Sequence, residues 1–163
     1  MPRLGIDPVA DGSAAAHGAP KHASPLLAYP CERTREALHR LAQDGPLHPA
    51  HGIKMRYANP LTGGNAFPTI SVYIQWLPKA FAGQTYRSTE SAIFCAVEGT
   101  GRIVTETTQL DFAPHDVFTV PSWIPYRIET DDECVLFSYS DRGPQETLGL
   151  FREEDPANSA GRG

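Results

Sequence analysis

Apolar and polar residues alternate along much of the chain, which is typical of strands with one buried face. Residues 69–77 show the alternation most clearly. Their apolar set is Ile70, Val72, Ile74 and Trp76, and their polar set is Ser71, Tyr73 and Gln75. Similar short segments predict further strands at residues 53–58, 91–97, 101–105, 109–112, 117–120, 126–129 and 134–139.

The breaks between these segments carry residues that favour turns, for example Gly99 and Pro114. Short strands at close, regular spacing without intervening helices indicate an all-β sandwich or barrel. One short helix is predicted before the strands, at residues 32–43, where apolar residues recur at helical spacing. The sequence Gly45-Pro46 ends this helix.

The two ends of the chain lack such periodicity. Residues 1–25 are rich in Ala, Gly, Pro and His and predict a disordered arm, and residues 152–163 predict a disordered tail. Residues 26–151 remain as one domain. The full length of 163 residues is sufficient for a single buried core.

Composition and charge narrow the class of protein. The net charge is -5 and no run of Lys and Arg reverses it, so we expect neither nucleic acid nor an anionic membrane as a partner. No apolar stretch approaches the length of a membrane span. Cys31, Cys95 and Cys134 are odd in number and have no Cys-x-x-Cys spacing, which indicates free thiols and a cytoplasmic location. Cys95 and Cys134 lie in apolar strands, where we expect buried thiols.

Two segments, residues 80–99 and 115–130, resemble the two-part motif of the cupin superfamily. Gly99 and Pro121 fall in register with that motif, and Pro114-His115-Asp116 occupies the place of its usual Pro-Gly-Asp turn. Trp123 replaces a glycine of the motif. The resemblance implies that the domain is a single cupin jelly-roll β-barrel.

The metal-ligand positions of the cupin motif carry other residues in this chain. Tyr86 and Ser88 occupy the places of its His-x-His pair, Ala92 that of its carboxylate, and Tyr126 that of its last histidine. Such a pair points to one face of its strand, so with a third histidine it can hold iron inside the barrel. A serine hydroxyl is a poor ligand, and a tyrosine must first lose a proton with a pKa of about 10. We therefore expect no metal and no cofactor.

Longer stretches carry a closer resemblance, among them residues 24–30, 56–64, 86–92 and 136–142. Over about residues 24–154 the chain is similar to the C-terminal half of gentisate 1,2-dioxygenases and their salicylate and 1-hydroxy-2-naphthoate relatives. The resemblance implies two-barrel, ring-cleaving enzymes in which iron and the catalytic histidines belong to the N-terminal barrel. The second barrel of such enzymes serves packing and assembly, and this chain corresponds to that barrel.

The leading hypothesis is a gentisate 1,2-dioxygenase-like cupin domain without a metal. It would support assembly, as a homo-oligomer or beside a separate catalytic cupin barrel, and no catalytic residue of the family can be carried over to it. Trp76 and the loop at residues 59–65 are candidates for its interface. One alternative is a single-barrel, ring-cleaving aromatic-acid dioxygenase that binds Fe(II) through Tyr86, Tyr126 and a histidine from the arm.

The other alternative is a metal-free cupin that binds a small molecule. Tyr86, Ser88 and Tyr126 would line a polar barrel pocket, and Arg87 or Arg127 would pair with the carboxylate of an aromatic acid. Strand alternation argues against both arginines, because each lies next to an inward-facing residue. We therefore expect the two tyrosines to fill space inside the barrel.

Several other polar residues are expected to have only local roles. His48 and His51 predict a loop with surface histidines. Asp141-Arg142 predicts a turn or a local ion pair at the end of the last strand, and residues 153–155 predict a solvated acidic tail.

Overall fold

The computed structural model describes residues 31–159, with side chains for residues 32–158. The elements within this range are α1 (Cys31–Asp44), β1 (Ile53–Arg56), β2 (Ser71–Leu77), β3 (Arg87–Ser88), β4 (Ala92–Glu98), β5 (Gly101–Thr105), β6 (Gln109–Phe112), β7 (Val117–Val120), β8 (Tyr126–Thr130), β9 (Cys134–Ser140), α2 (Arg142–Thr147), β10 (Glu153–Glu154) and α3 (Pro156–Ser159). The predicted arm at residues 1–25 lies outside the described residues. None of these helices is long and apolar enough to cross a membrane.

The strands form two main antiparallel sheets that face each other. The large sheet has the order β1-β2-β9-β4-β7, and the small sheet has the order β6-β5-β8. Apolar side chains from both sheets pack into one shared cluster, for example Phe118 of β7 against Phe112 of β6 at 5.1 Å between ring centroids. A third, two-stranded sheet pairs β3 with β10.

Helix α1 covers part of the outer face of the large sheet. Its buried Leu38 forms a second apolar cluster with Ile53 of β1, Ile74 of β2 and Val135 of β9. Trp76 packs at the margin of this cluster, with its ring centroid 5.9 Å from that of His39 on α1. Trp76, proposed from the sequence as an interface residue, is therefore engaged by the helix of its own chain.

Strand β2 is buried on both faces, and its polar face is the one that points between the sheets. Ser71 and Gln75 are 0% exposed and Tyr73 is buried, while Ile74 on the opposite face packs under α1. The alternation predicted for this strand is present. The inward direction of its polar side chains gives the barrel interior a polar region.

The sequence predicted the all-β class, the single N-terminal helix and the main strands, and the structure confirms them. The three strands from β5 to β7 have the predicted bounds, and the others differ by one to two residues at an end. Four elements were not predicted: the two-residue strands β3 and β10 and the helices α2 and α3.

The prediction of an unstructured tail from residue 152 was wrong for the residues that the structure describes. Glu153 and Glu154 form β10 and pair with Ser88 and Arg87 of β3, and α3 follows. The partner strand β3 lies more than 60 residues earlier in the chain, so no local pattern in the tail predicts the pairing. The acidic tail is therefore part of the barrel wall. Residues 160–163 lie outside the described range.

Three turns show how closely the backbone follows the cupin pattern. Gly99 has a φ of 80°, and a Cβ added there would lie 2.1 Å from the carbonyl oxygen of Glu133. His115 and Trp123 stand where the cupin motif has glycine, and both keep left-handed φ values, of 77° and 64°. The backbone shape of the motif therefore persists at positions where its glycines do not.

Candidate functional site

One half of the barrel interior, here called the apolar half, is filled by tightly packed side chains. The rings of Phe94 and Phe118 stack at 5.3 Å, and Phe118 stacks on Phe112 in turn. Aliphatic residues of both sheets complete it, and all of its members are buried: Phe94, Ile103, Phe112, Phe118, Ile128 and Leu136.

Tyr86 and Tyr126 stand at the edge of the apolar half. An isolated bridge joins them: the backbone N–H of each donates to the carbonyl oxygen of the other, at 2.9 Å. Their rings meet edge to face at 5.9 Å between centroids, and Tyr126 meets Phe94 in the same way at 6.1 Å. The structure thus brings together two of the predicted site residues, as packed rings.

Burial controls the ionisation of both phenols. Burial first, then the charge of Glu90, raises the pKa of Tyr86 above its ordinary value. The same two causes, in the same order, raise the pKa of Tyr126. The Tyr86 hydroxyl donates a hydrogen bond of 2.9 Å to the Glu153 carboxylate. Both tyrosines therefore remain protonated at neutral pH.

Ser88 and Ala92, the other two predicted positions, lie near the buried carboxylate of Glu90. The Ser88 hydroxyl donates to Glu90 Oε1 at 3.3 Å, and the Ser140 hydroxyl donates to Glu90 Oε2 at 2.5 Å. Ala92 lies opposite Ser140 in register and packs at the margin of the apolar half. Glu90 therefore has two hydroxyl donors that hold it in place.

Beyond the tyrosines lies a polar half of the interior, whose central cation is Arg142. Its Nε donates to Glu146 at 2.7 Å, and its Nη1 lies 3.4 Å from Glu153 and 3.9 Å from Glu90. The guanidinium also covers the ring of Phe151 at 4.0 Å. The polar half comprises His51, Lys54, Tyr73, Gln75, Glu90, Arg142 and Glu153.

A cavity of about 310 Å³ opens on this polar half. Its walls come from the loop before β1, from β1 and β2, and from the C-terminal segment after β9. The lining residues are His51, Lys54, Arg56, Tyr73, Arg142, Glu146, Glu153 and Asp155. None of them was assigned to a site by the sequence.

His51 lies at the base of this cavity and is only 8% exposed, so the prediction of a surface histidine was wrong for it. Its ring stacks on His48 at 4.8 Å and meets Tyr86 edge to face at 4.5 Å. Burial first, then the charge of Lys54, lowers its pKa well below the ordinary value. His51 is therefore neutral at physiological pH, and its Nδ1 is buried without a hydrogen-bond partner among the residues that the structure describes.

The carboxylates of the acidic tail serve this region as structural partners. Asp155 lies 3.1 Å from Nε2 of His48, and Glu153 bridges Tyr86 and Arg142. The predicted carboxylate-binding residues Arg87 and Arg127 instead point outward, as strand alternation indicated. Arg87 pairs with Glu154, and Arg127 pairs with Glu129.

The alternation of inward and outward residues along the strands gives a sequence signal for the two inward-facing cations, Arg142 and Lys54. The inward residues of β9 continue through Ser138 and Ser140, and the next position in that series is Arg142. Lys54 lies directly opposite Gln75, an inward residue of β2. Extending the alternation past the end of β9 identifies Arg142, and pairing β1 with β2 identifies Lys54, whereas no local pattern identifies His51.

No protein-family model matches the chain. Among curated proteins, it is 48% identical over 130 residues to gentisate 1,2-dioxygenase 1 of Aquipseudomonas alcaligenes, which covers 80% of this chain and 38% of the relative. It is 35% identical over 132 residues to a 5-aminosalicylate 1,2-dioxygenase of a Comamonas species, covering 80% of this chain and 35% of that protein. The chain thus spans well under half the length of these relatives.

The fold matches a solved structure of the same group. Salicylate 1,2-dioxygenase from Pseudaminobacter salicylatoxidans superposes with a TM-score of 0.76 at 32% identity, over 83% of this chain and 40% of that one. Its adduct structure with gentisate gives 0.77 at 29% identity, over 94% of this chain and 42% of that one. These matches confirm the predicted resemblance and the cupin-type jelly roll.

Proposed function

Because the chain is homologous to about two fifths of the gentisate and salicylate dioxygenases, we propose that it is a cupin domain of that group which does not itself carry catalytic iron. Its role is to support the assembly of cupin barrels. The activity of the longer relatives therefore depends, in this proposal, on a barrel other than this one. The free thiols of Cys95 and Cys134 fit the proposed cytoplasmic location.

The main support for the proposal comes from the side chains at the four positions where the cupin motif has metal ligands. Tyr86 and Tyr126 are protonated rings in van der Waals packing, Ser88 is bonded to Glu90, and Ala92 has no donor atom. Within residues 32–158, no three His, Cys, Asp or Glu side chains are placed to hold a metal ion. This donor set does not fit Fe(II), which takes imidazole and carboxylate ligands in such sites. We derive no catalytic step at these positions.

An apolar area on the outer face of the large sheet, here called the outer patch, supports the assembly role. It comprises Ile93, Cys95, Val117 and Tyr139. Val117 is 64% exposed and Tyr139 is 40% exposed, and the four residues are neighbours in register across β7, β4 and β9. The occupant that we propose is a second cupin barrel, since the relatives are more than twice as long as the matched region.

Light scattering after size exclusion tests the assembly role. We expect the purified chain to form an oligomer, and Val117→Glu to shift it to the monomer because a charge would be buried in the interface. Leu110→Glu is the matched control, since Leu110 is 49% exposed on β6 of the other sheet. A monomeric wild type that also fails to bind the unmatched part of the Aquipseudomonas relative would overturn the role.

An activity assay tests the missing iron chemistry. Purified protein with Fe(II) and gentisate in air should form no ring-cleavage product above the protein-free rate. Turnover at enzymatic rates, with iron that is lost in Tyr86→Phe, would refute the proposal and establish the single-barrel dioxygenase with unusual ligands.

A further inference from the structure

The cavity of the polar half is lined by Lys54, a cation with no anionic partner within residues 32–158. The Lys54 ammonium lies 4.6 Å above the ring centroid of Tyr73. Among residues 32–158 it makes no ion pair, although the more distant charges of Glu90, Glu153 and Asp155 favour its charged form. Burial opposes that charged form more strongly and lowers the pKa of Lys54. The ammonium is therefore incompletely compensated.

The three carboxylates that line the cavity are already paired. Glu146 and Glu153 bond to Arg142, and Asp155 pairs with His48. Arg56, at the outer rim, donates only to the carbonyl oxygen of Gly63, at 3.4 Å, within the described part of the chain. Lys54 and Arg56 lie two residues apart on one strand, so both face the cavity. Neither pairs with a carboxylate of the described chain.

Two buried polar side chains beside Lys54 also lack partners in the described chain. Gln75, opposite Lys54 in register, is 0% exposed, and neither its amide nitrogen nor its amide oxygen has a hydrogen-bond partner. His51 has an unpartnered Nδ1. Buried polar groups are ordinarily satisfied, because each one left without a hydrogen bond costs about 1–3 kcal/mol. These groups therefore indicate a polar occupant.

We propose that this cavity binds a small monocarboxylic acid, with its carboxylate against Lys54 and Arg56 and its polar substituents toward His51. A cavity of about 310 Å³ is at the small end of ligand sites, which favours a compact acid. A dianion such as phosphate fits less well, because the carboxylates of Glu146, Glu153 and Asp155 line the same space. The site is separate from the outer patch and does not rest on the assembly role.

Calorimetric titration of the full chain with benzoate and with lactate tests the site. These two probes share the carboxylate and differ in an aromatic or aliphatic body, so their relative affinities identify the body that the cavity accepts. We expect benzamide, the neutral analogue of benzoate, and inorganic phosphate to bind at least tenfold more weakly than the better acid. Absence of heat for both acids at millimolar concentration would overturn the proposal.

Lysine variants locate the binding. Lys54→Gln should weaken binding of the better acid about tenfold, as expected for the loss of a charge-assisted contact. Lys79→Gln is the matched control, since Lys79 is exposed and pairs with Asp132 on the surface. Equal binding by wild type and Lys54→Gln would place the acid elsewhere and refute the site.

A second measurement on the wild-type protein guards against misfolding of the variant. Reductive dimethylation with ¹³C-formaldehyde keeps the charge of lysine and labels Lys21, Lys54 and Lys79 for NMR. Addition of the acid should shift the Lys54 resonance and raise its pKa, because a bound carboxylate stabilises the ammonium, while the Lys79 resonance stays in place. A Lys54 resonance that does not move at saturating acid would contradict the proposal.

Discussion

The two halves of the barrel interior are filled by different kinds of side chain, apolar in one half and charged or polar in the other. The apolar half buries phenylalanine rings from both sheets in contact with one another, with no polar atom to satisfy. The polar half places the buried Glu90 beside the partly buried Arg142 and Glu153, and it depends on hydrogen bonds and ion pairs between residues 50 or more positions apart. Tyr86 belongs to both, with its ring in one and its hydroxyl in the other.

The two halves therefore differ in their roles: the apolar half stabilises the fold, and the polar half offers a place for a ligand. Apolar side chains must pack without cavities, but they need no hydrogen-bond partner, so they suit a structural core. A polar interior stays stable only while each group is paired. Three groups of the polar half have no polar partner in the described part of the chain: Lys54 and His51 line the cavity, and Gln75 lies opposite Lys54 in register. Their position indicates where a ligand can add interactions that the folded chain leaves unused.

The largest effect is expected in the apolar half. Phe94→Ala should lower the free energy of unfolding by about 3–5 kcal/mol, because it leaves a cavity beside Phe118 and Tyr126. Urea unfolding measures the loss, with Phe67→Ala, at an exposed loop residue, as the control that changes little. A loss below 1 kcal/mol for Phe94→Ala would mean that the apolar half is not the main core.

The next effect lies in the polar half. Arg142→Gln should lower the free energy of unfolding by about 3 kcal/mol, because the variant leaves Glu90, Glu146 and Glu153 without their cation. Arg102→Gln, which breaks an exposed pair with Asp131, should cost less than about 1 kcal/mol in the same urea titration. Equal costs for the two variants would show that the carboxylates of the polar half are well solvated.

The boundary between the halves allows a matched pair of hydroxyl deletions. Tyr86→Phe removes the hydrogen bond to Glu153 and should cost about 1–2 kcal/mol. Tyr126→Phe makes the same change on the neighbouring ring, whose hydroxyl makes no hydrogen bond to residues 32–158, and should be close to neutral. Urea unfolding at pH 7 compares them, and a reversed order would contradict the assignment of Tyr86 to both halves.

The neutral His51 predicts a dependence of stability on pH. The unfolded chain takes up a proton at this histidine near its ordinary pKa of about 6.5, whereas the folded chain does not, because burial and Lys54 lower the pKa. Stability should therefore fall as pH drops below about 6.5, by up to about 1.4 kcal/mol per pH unit. His51→Gln should remove this part of the slope between pH 6.5 and 5.5. Parallel curves for the two proteins would refute the prediction.

The smallest effect concerns the turn that lies outside both halves. His115 has a left-handed φ of 77°, which costs a non-glycine residue about 1–2 kcal/mol. His115→Gly removes that cost, and part of the gain is offset because glycine is more flexible in the unfolded chain. We expect a net stabilisation of about 0.5–1 kcal/mol in thermal unfolding. A destabilised variant would show that the imidazole makes a compensating contact.

The apolar half could be predicted from the sequence, whereas the polar half, apart from the inward direction of its two cations, could not. Phe94, Phe112 and Phe118 lie in strands whose alternation and turn residues are local signals, and the resemblance to the cupin motif placed Tyr86 and Tyr126 inside the barrel. The polar half joins Tyr86 to Glu153, 67 residues away, through strands of only two residues. Such short strands carry no periodicity, so residues 153–155 resembled an ordinary acidic tail.

The direction of β2 gives a similar lesson. Its apolar and polar faces alternate as predicted, but the sequence alone does not say which face a barrel interior receives. Helix α1 covers the apolar face through Leu38, and this leaves Ser71, Tyr73 and Gln75 to line the interior. The polar half follows from the packing of the helix, a tertiary effect that a single strand cannot reveal.

The large sheet carries one thiol on each face, and the two thiols differ in their reactivity toward labelling reagents. Cys134 points inward and is fully buried, and burial together with the charge of Glu98 raises its pKa to about 12. Cys95 lies on the outer face and is partly exposed. Alkylating reagents react with the thiolate form of cysteine. The labelling rate of Cys95 therefore reports the accessibility of the folded surface, while Cys134 reacts only when the sheets separate. The ratio of the two labelling rates therefore measures how often the barrel opens.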